Sequence, residues 1–159
     1  PCMNWDDVAK MVDYWDGQFC LKGIMSVEDA KKAVEIGCNG IVISNHGGRQ
    51  IDMVPSPLQL LPNIRKKLGD DFPIIIDSGY SSGQDIAKAL ALGADFIMLG
   101  RSFMIGIAAL GGMGADHVYY ILQDELSNVM EQLCCKDIPD LKLENVALTN
   151  DFFLNKLGE

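Results

Sequence analysis

The chain has 159 residues, 48% of them hydrophobic and 22% charged, with a formal net charge of −9. Such a composition belongs to an ordinary globular domain with a real core, and it excludes collagen-like, low-complexity and disordered classes. Reading nucleic acid requires concentrated positive charge against the phosphates. The longest basic cluster here is Arg65-Lys66-Lys67, so no nucleic-acid partner is expected.

No unbroken apolar run reaches the roughly 18 residues that span a bilayer, and no basic region followed by an apolar stretch opens the chain. Neither a membrane span nor a secretory signal is expected in this piece. The five cysteines (Cys2, Cys20, Cys38, Cys134, Cys135) are odd in number and contain no Cys-x-x-Cys pair. A disulfide framework and a metal site are therefore disfavoured, and a reducing cytoplasm fits best. The chain starts at Pro1, already inside a repeating pattern, which reads as a fragment of a longer protein.

In chain order, Phe19-Cys20-Leu21-Lys22 is a short apolar run ending in a charge. Ser26 can cap a helix carrying Val27, Ala30, Ala33 and Val34 at helical spacing, stopped by Gly37. Gly40-Ile41-Val42-Ile43-Ser44 is a buried-type strand with a glycine-rich loop after it. Pro57 opens the next helix, over residues 58–68. The alternation then recurs: a strand at 73–77, a helix at 83–92 and a strand at 96–100. Ser26-Val27-Glu28-Asp29-Ala30 sits over Ser82-Gly83-Gln84-Asp85-Ile86, and Gly37 over Gly93, at a constant offset of 56 residues.

Apolar strands alternating with helices mean a parallel sheet covered by helices. The repeat and the chemistry at every strand end favour a ring, where such ends meet at one mouth, over an open doubly wound sheet. Four strands are half of an eight-stranded TIM barrel, so the expected fold is α/β, the C-terminal half of a (β/α)8 barrel. Helices are expected at 102–110 and 115–133, packing on the barrel. Residues 1–136 form the half barrel and 137–159 a C-terminal extension. His117 is expected on a helix surface.

The sharpest segment is Ser44-Asn45-His46-Gly47-Gly48-Arg49-Gln50. Histidine titrates near neutrality and can take a proton at physiological pH. Arg49 offers a planar fork for a carboxylate. A base beside a carboxylate clamp is what proton abstraction from a 2-hydroxy acid needs. Gly79, Ser81, Ser82 and Gly83 bring backbone donors and hydroxyls to a helix N-terminus, and Gly100-Arg101 adds a charge, which together suit a phosphate.

This heptad, with Leu21-Lys22-Gly23-Ile24 before it and Asp77-Ser78-Gly79, Ala89-Leu90-Ala91-Leu92-Gly93-Ala94-Asp95 and Leu99-Gly100-Arg101 after it, resembles the FMN-dependent 2-hydroxy-acid dehydrogenase family. The resemblance covers nearly all of residues 3–135, and Asp-Ser-Gly and Gly-Arg-Ser-Phe lean towards its bacterial L-lactate dehydrogenase branch. It implies that His46 accepts the proton, that Arg49 binds the substrate carboxylate, and that Lys22 lies against the flavin N1/O2 edge as a fixed cation. Ser44, His46, Gly47, Asp77, Ser78, Gly79, Ser81, Gly100 and Arg101 would complete the FMN contacts. Ser81 stands where the family usually places an arginine on the flavin phosphate, which predicts weakened FMN binding.

The implied reaction is oxidation of an L-2-hydroxy acid, foremost L-lactate to pyruvate, with electrons passed to a quinone or cytochrome. The alternatives are an oxygen-using 2-hydroxy-acid oxidase and a half barrel that binds FMN or phosphate without catalysis. By itself the fragment is expected to be inactive. The full-length protein is expected to be a homo-oligomer, cytoplasmic or peripheral on the inner membrane.

Overall fold

The computed structural model describes residues 3–146; Cys2 and the part of the expected extension at 147–159 lie outside them. Helix α1 (Trp5–Tyr14) begins at Asn4, whose side chain accepts from the Asp7 N–H while Asp7 accepts from the Asn4 N–H. Sequence analysis did not read this helix, although its reciprocal cap is a legible start signal. After it come β1 (Cys20–Ile24), α2 (Val27–Glu35), β2 (Gly40–Ile43), α3 (Pro57–Leu68), β3 (Ile74–Ile76), α4 (Gly83–Ala91) and β4 (Phe96–Ile97). Helices α5 (Arg101–Leu110) and α6 (Gly114–Gln132) close the regular structure.

The four strands form one parallel sheet in the order β1-β2-β3-β4, each consecutive pair joined through a helix. Register sets Ile41 beside Ile74 and Ile43 beside Ile76. Side chains alternate faces along a strand, so these four isoleucines share one face. They are fully buried with Ala30 and Ala33 of α2, Leu61 and Ile64 of α3, and Ala89 of α4. The other face carries the row Lys22, Val42, Ile75 and Phe96, and Phe96 is 62% exposed.

The repeat inferred at 56 residues is three-dimensional. Ser26 and Ser82 both cap their helices, accepting from the N–H of Asp29 and Asp85. Gly37 and Gly93 both end them in the left-handed region, at φ +91 and +105. The next residues, Cys38 and Ala94, donate to Ala33 and Ala89 in the same way, each at 3.0 Å. This is a capping and C-terminal closure pattern set by identical local chemistry.

Strand β4 ends at Ile97, earlier than the expected residue 100, because among the described residues no strand pairs with its outer edge to extend the ladder. The stretch Arg101–Gln132 is long and apolar enough to cross a membrane by length and composition. Sequence analysis found no such span, since it looked for an unbroken apolar run. In the fold the stretch is broken at Gly111–Met113 into α5 and α6, which pack on each other through Gly106 and Gly114. Helix α6 also packs on α4, and Leu141 and Val146 fold back onto Ala87, Ala91 and Cys135.

Candidate active site

Each strand delivers its chemistry at the same, C-terminal end of the sheet. Beyond Lys22, β1 makes a bulge at Gly23, whose φ is +98, and the register to β2 shifts there. A Cβ on Gly23 would lie 3.0 Å from His46 Nε2, so the missing side chain leaves room for the imidazole to rest against the strand. Strand β2 runs into buried Ser44 and then a single 3-10 turn, His46–Gly48. His46, Gly47 and Gly48 all have positive φ, at 55, 69 and 72. Two of these three positions are glycine, as that backbone favours.

Strand β3 ends in Asp77, followed by Ser78 (φ +74) and Gly79 (φ +99). Lys22 Nζ donates to Asp77 Oδ2 and to Ser44 Oγ, both at 2.7 Å. Ser44 Oγ also accepts from the His46 N–H at 3.1 Å. The Ser78 hydroxyl donates to Asp77 Oδ1 at 2.7 Å and accepts from the Gly47 N–H at 3.0 Å. Burial pushes the Asp77 carboxyl up, but hydrogen bonds from Lys22, Ser44 and Ser78 and the Lys22 charge outweigh it, so the group sits below its ordinary value of 3.8.

These strand ends enclose a cleft of about 460 Å³, lined by Lys22, His46, Gly47, Arg49, Gln50, Asp77, Ser78, Gly79, Tyr80, Met98, Leu99, Gly100 and Arg101. The structure thus brings together nearly all the residues singled out in the sequence. Ser44 lies beneath the cleft as a hydrogen-bond partner of Lys22. Ser81 is exposed and not part of the lining.

Several of the donors expected at the N-terminus of α4 have protein acceptors. The Ser81 and Ser82 N–H groups donate to Asp85 Oδ2, and the Gly83 N–H donates to Glu125 Oε2 at 2.7 Å. Protein carboxylates already complement that helix end. The N-terminus of α5, bearing Gly100 and Arg101, faces the cleft instead. Lys22, expected as a fixed cation, is held in place by an ion pair with the Asp77 carboxylate. An ammonium has three N–H donors and two are spent here, which leaves one for a ligand.

Sequence reasoning missed Gly23 and the tie made by Ser78. A glycine inside a strand pattern signals a bulge or a close approach and could have pointed to the first. It also missed Tyr80, whose hydroxyl is buried without a hydrogen-bond partner. Burial, and then the charges of Asp77 and Asp85, push that phenol up.

The sequence pattern of FMN-dependent dehydrogenases matches residues 1–148. The chain belongs to the FMN-dependent dehydrogenase family. It is 42% identical over 147 residues to an L-lactate dehydrogenase of Vibrio cholerae, covering 92% of this chain and 39% of that protein. It is 38% identical over 152 residues to a pre-mycofactocin synthase of Mycolicibacterium smegmatis, covering 96% and 38%. A crystal structure of (S)-mandelate dehydrogenase, described as a monotopic membrane protein, superposes with a TM-score of 0.88 at 39% identity, covering 91% of this chain and 38% of that one. The chain therefore spans about two fifths of the length of these relatives. Its four βα units are part of the (β/α)8 barrel of this family. The donor set fits the cofactor in the family's name. A lysine N–H and a helix N-terminus with an arginine line the same cleft, the kinds of donor that a flavin edge and a phosphate would require.

Proposed function

We propose that the protein containing this chain oxidises an L-2-hydroxy acid, foremost L-lactate to pyruvate, with FMN as cofactor. The observation that carries the reading is that Lys22, His46, Arg49 and Arg101, drawn from the ends of β1, β2 and β4, line one cleft. Binding phosphate alone would need neither His46 nor Arg49. Arg49 takes the substrate carboxylate in a two-pronged ion pair, which fixes the hydroxyl-bearing carbon relative to His46. His46 Nε2 accepts the proton released by the substrate, and Gly23 beneath it leaves the imidazole room to do so. FMN, when bound, would supply the acceptor for the two electrons and the second hydrogen, whether these leave together as a hydride or separately.

Lys22 offers its remaining N–H to the N1/O2 edge of the flavin, while Ser44 and Asp77 hold the ammonium in place. Gly47, Ser78 and Gly79 line the side of the cleft beside it, and Gly100 and Arg101 receive the phosphate. Ser81, pointing outside, contributes little to that phosphate. The electrons leave to a quinone or cytochrome, with oxygen as the rival acceptor. The full-length protein is a cytoplasmic or inner-membrane peripheral homo-oligomer, with residues 1–136 supplying barrel and 137–159 an extension.

The test is anaerobic mixing of the full-length, FMN-loaded protein with L-lactate while the flavin absorbance is followed. The wild type bleaches, and His46→Gln keeps its flavin but does not bleach. A yellow wild-type protein that never bleaches with any small L-2-hydroxy acid would show a binding protein without catalysis. Following oxygen consumption against reduction of a quinone analogue separates oxidase from dehydrogenase.

A further inference from the structure

The backbone around His46 is held at both of its peptide groups, and by the same ion pair. On one side the His46 N–H donates to Ser44 Oγ at 3.1 Å, and Ser44 accepts from Lys22. On the other the Gly47 N–H, shared within the turn with Asn45 Oδ1 at 3.0 Å, donates across to Ser78 Oγ at 3.0 Å, and Ser78 donates to Asp77. The Lys22–Asp77 contact at 2.7 Å closes these bonds into a ring running through residues 22, 44, 46, 47, 77 and 78. Ser78 is the member that joins the β3 end to the β2 loop, 31 residues apart in sequence.

Ser78 occupies a backbone region that disfavours a Cβ, with φ +74, directly before a glycine at φ +99. Glycine would adopt this conformation without strain. A strained non-glycine residue at a site persists where its side chain is used. The hydroxyl is used fully in this sense, since its one proton goes to Asp77 and a lone pair takes the Gly47 N–H.

We propose that Ser78 is a positioning residue, which holds the turn carrying His46 against the Lys22–Asp77 pair and so fixes the imidazole over Gly23. This rests on the reading of His46 as the proton acceptor and adds to it a residue that touches neither reacting atom. Lys22 and His46 are then set by one ring of bonds, so the flavin-facing donor and the proton acceptor keep a constant mutual placement. Misplacing a base by a fraction of an ångström costs rate and not ground-state binding.

The experiment compares Ser78→Gly and Ser78→Ala with wild type in the full-length, FMN-loaded protein. Ser78→Gly removes the hydroxyl and the backbone strain together, so it folds even if Ser78→Ala does not. The expected result is a fall in kcat of about tenfold with KM for the 2-hydroxy acid unchanged within about twofold. Amide hydrogen exchange, read by mass spectrometry, rises in the peptide spanning residues 44–50 and nowhere in α2 or α4. Unchanged exchange in that peptide, or raised exchange with unchanged kcat, overturns the proposal. Loss of FMN with a raised KM also overturns it, since Ser78 would then be a ligand contact. If the wild type turns over no 2-hydroxy acid, the functional reading fails, and the exchange arm still decides whether Ser78 holds the turn.

Discussion

Asp77 accepts from two sides, Lys22 at one oxygen and Ser78 at the other, and it is the pivot of the site's electrostatics. Its carboxyl is held below the ordinary 3.8, so folding favours the ionised form. The sign follows. A carboxyl depressed in the folded state contributes stability that is complete above its unfolded pKa and disappears as pH falls through the folded pKa. Asp77→Asn should therefore lower the urea midpoint at pH 6, and the gap to wild type should begin to narrow below about pH 4 and close as pH falls through the folded pKa, where the wild-type carboxyl is protonated too. A gap that stays constant down to pH 3 would show that shape and not charge is what Asp77 supplies. At this scale the sequence displays residues with chemistry of their own, such as His46, Arg49 and Lys22, because motif spacing reports them. It places Ser78 among the cofactor contacts without its tie to the His46 turn, and it does not display Gly23 as the seat of the imidazole. Their roles exist only when β1, β2 and β3 stand side by side.

Among the elements, α6 does more than cover the sheet. It lies so close across the start of α4 that a Cβ on Gly83 would meet the backbone at Glu125 and Leu126, and Glu125 takes the Gly83 N–H. Its packing on α5 is equally close, for a Cβ on Gly106 would lie 2.7 Å from the Gly114 carbonyl oxygen. Alanine favours helix over glycine by about 1 kcal/mol, whereas overpacking a tight contact costs about 1–3 kcal/mol. Gly106→Ala should accordingly destabilise the protein in chemical denaturation. Gly112→Ala, where a Cβ meets nothing within 4 Å, should not. If both behave alike, the α5–α6 contact is looser than described. Helices α2 to α6 were legible from periodicity and caps to within a residue or two, whereas α1 was not read. The partner of the Gly83 N–H was not legible, because Glu125 comes 42 residues later on another helix.

For the whole molecule, the repeat at 56 residues and the chemistry at each strand end made the partial barrel readable before any coordinates. Strand length at the edge was not readable, since β4 depends on a neighbour that these residues do not provide. Both outer edges, β1 and β4, have unpaired backbone groups, and exposed Phe96, Met98, Met104, Ile105 and Ile107 lie on β4, the segment after it and α5. Open parallel edges beside apolar surface template further pairing. The 159-residue chain expressed alone should therefore self-associate with rising concentration in sedimentation velocity. A single monomer boundary at every concentration would contradict this.

The cleft has one more property, which concerns how a ligand arrives and not how it is held. Its rim carries Lys22, Arg49 and Arg101 against the single carboxylate of Asp77, in a chain whose formal net charge is −9. On the reading proposed above, a flavin phosphate and a hydroxy-acid carboxylate would meet a chain of net negative charge with three cations gathered at one opening. Such a funnel concentrates anions where the electric field lines converge, and its reach shrinks to the Debye length, about 8 Å at physiological ionic strength. The same residues that would hold the anions also set the direction from which they come.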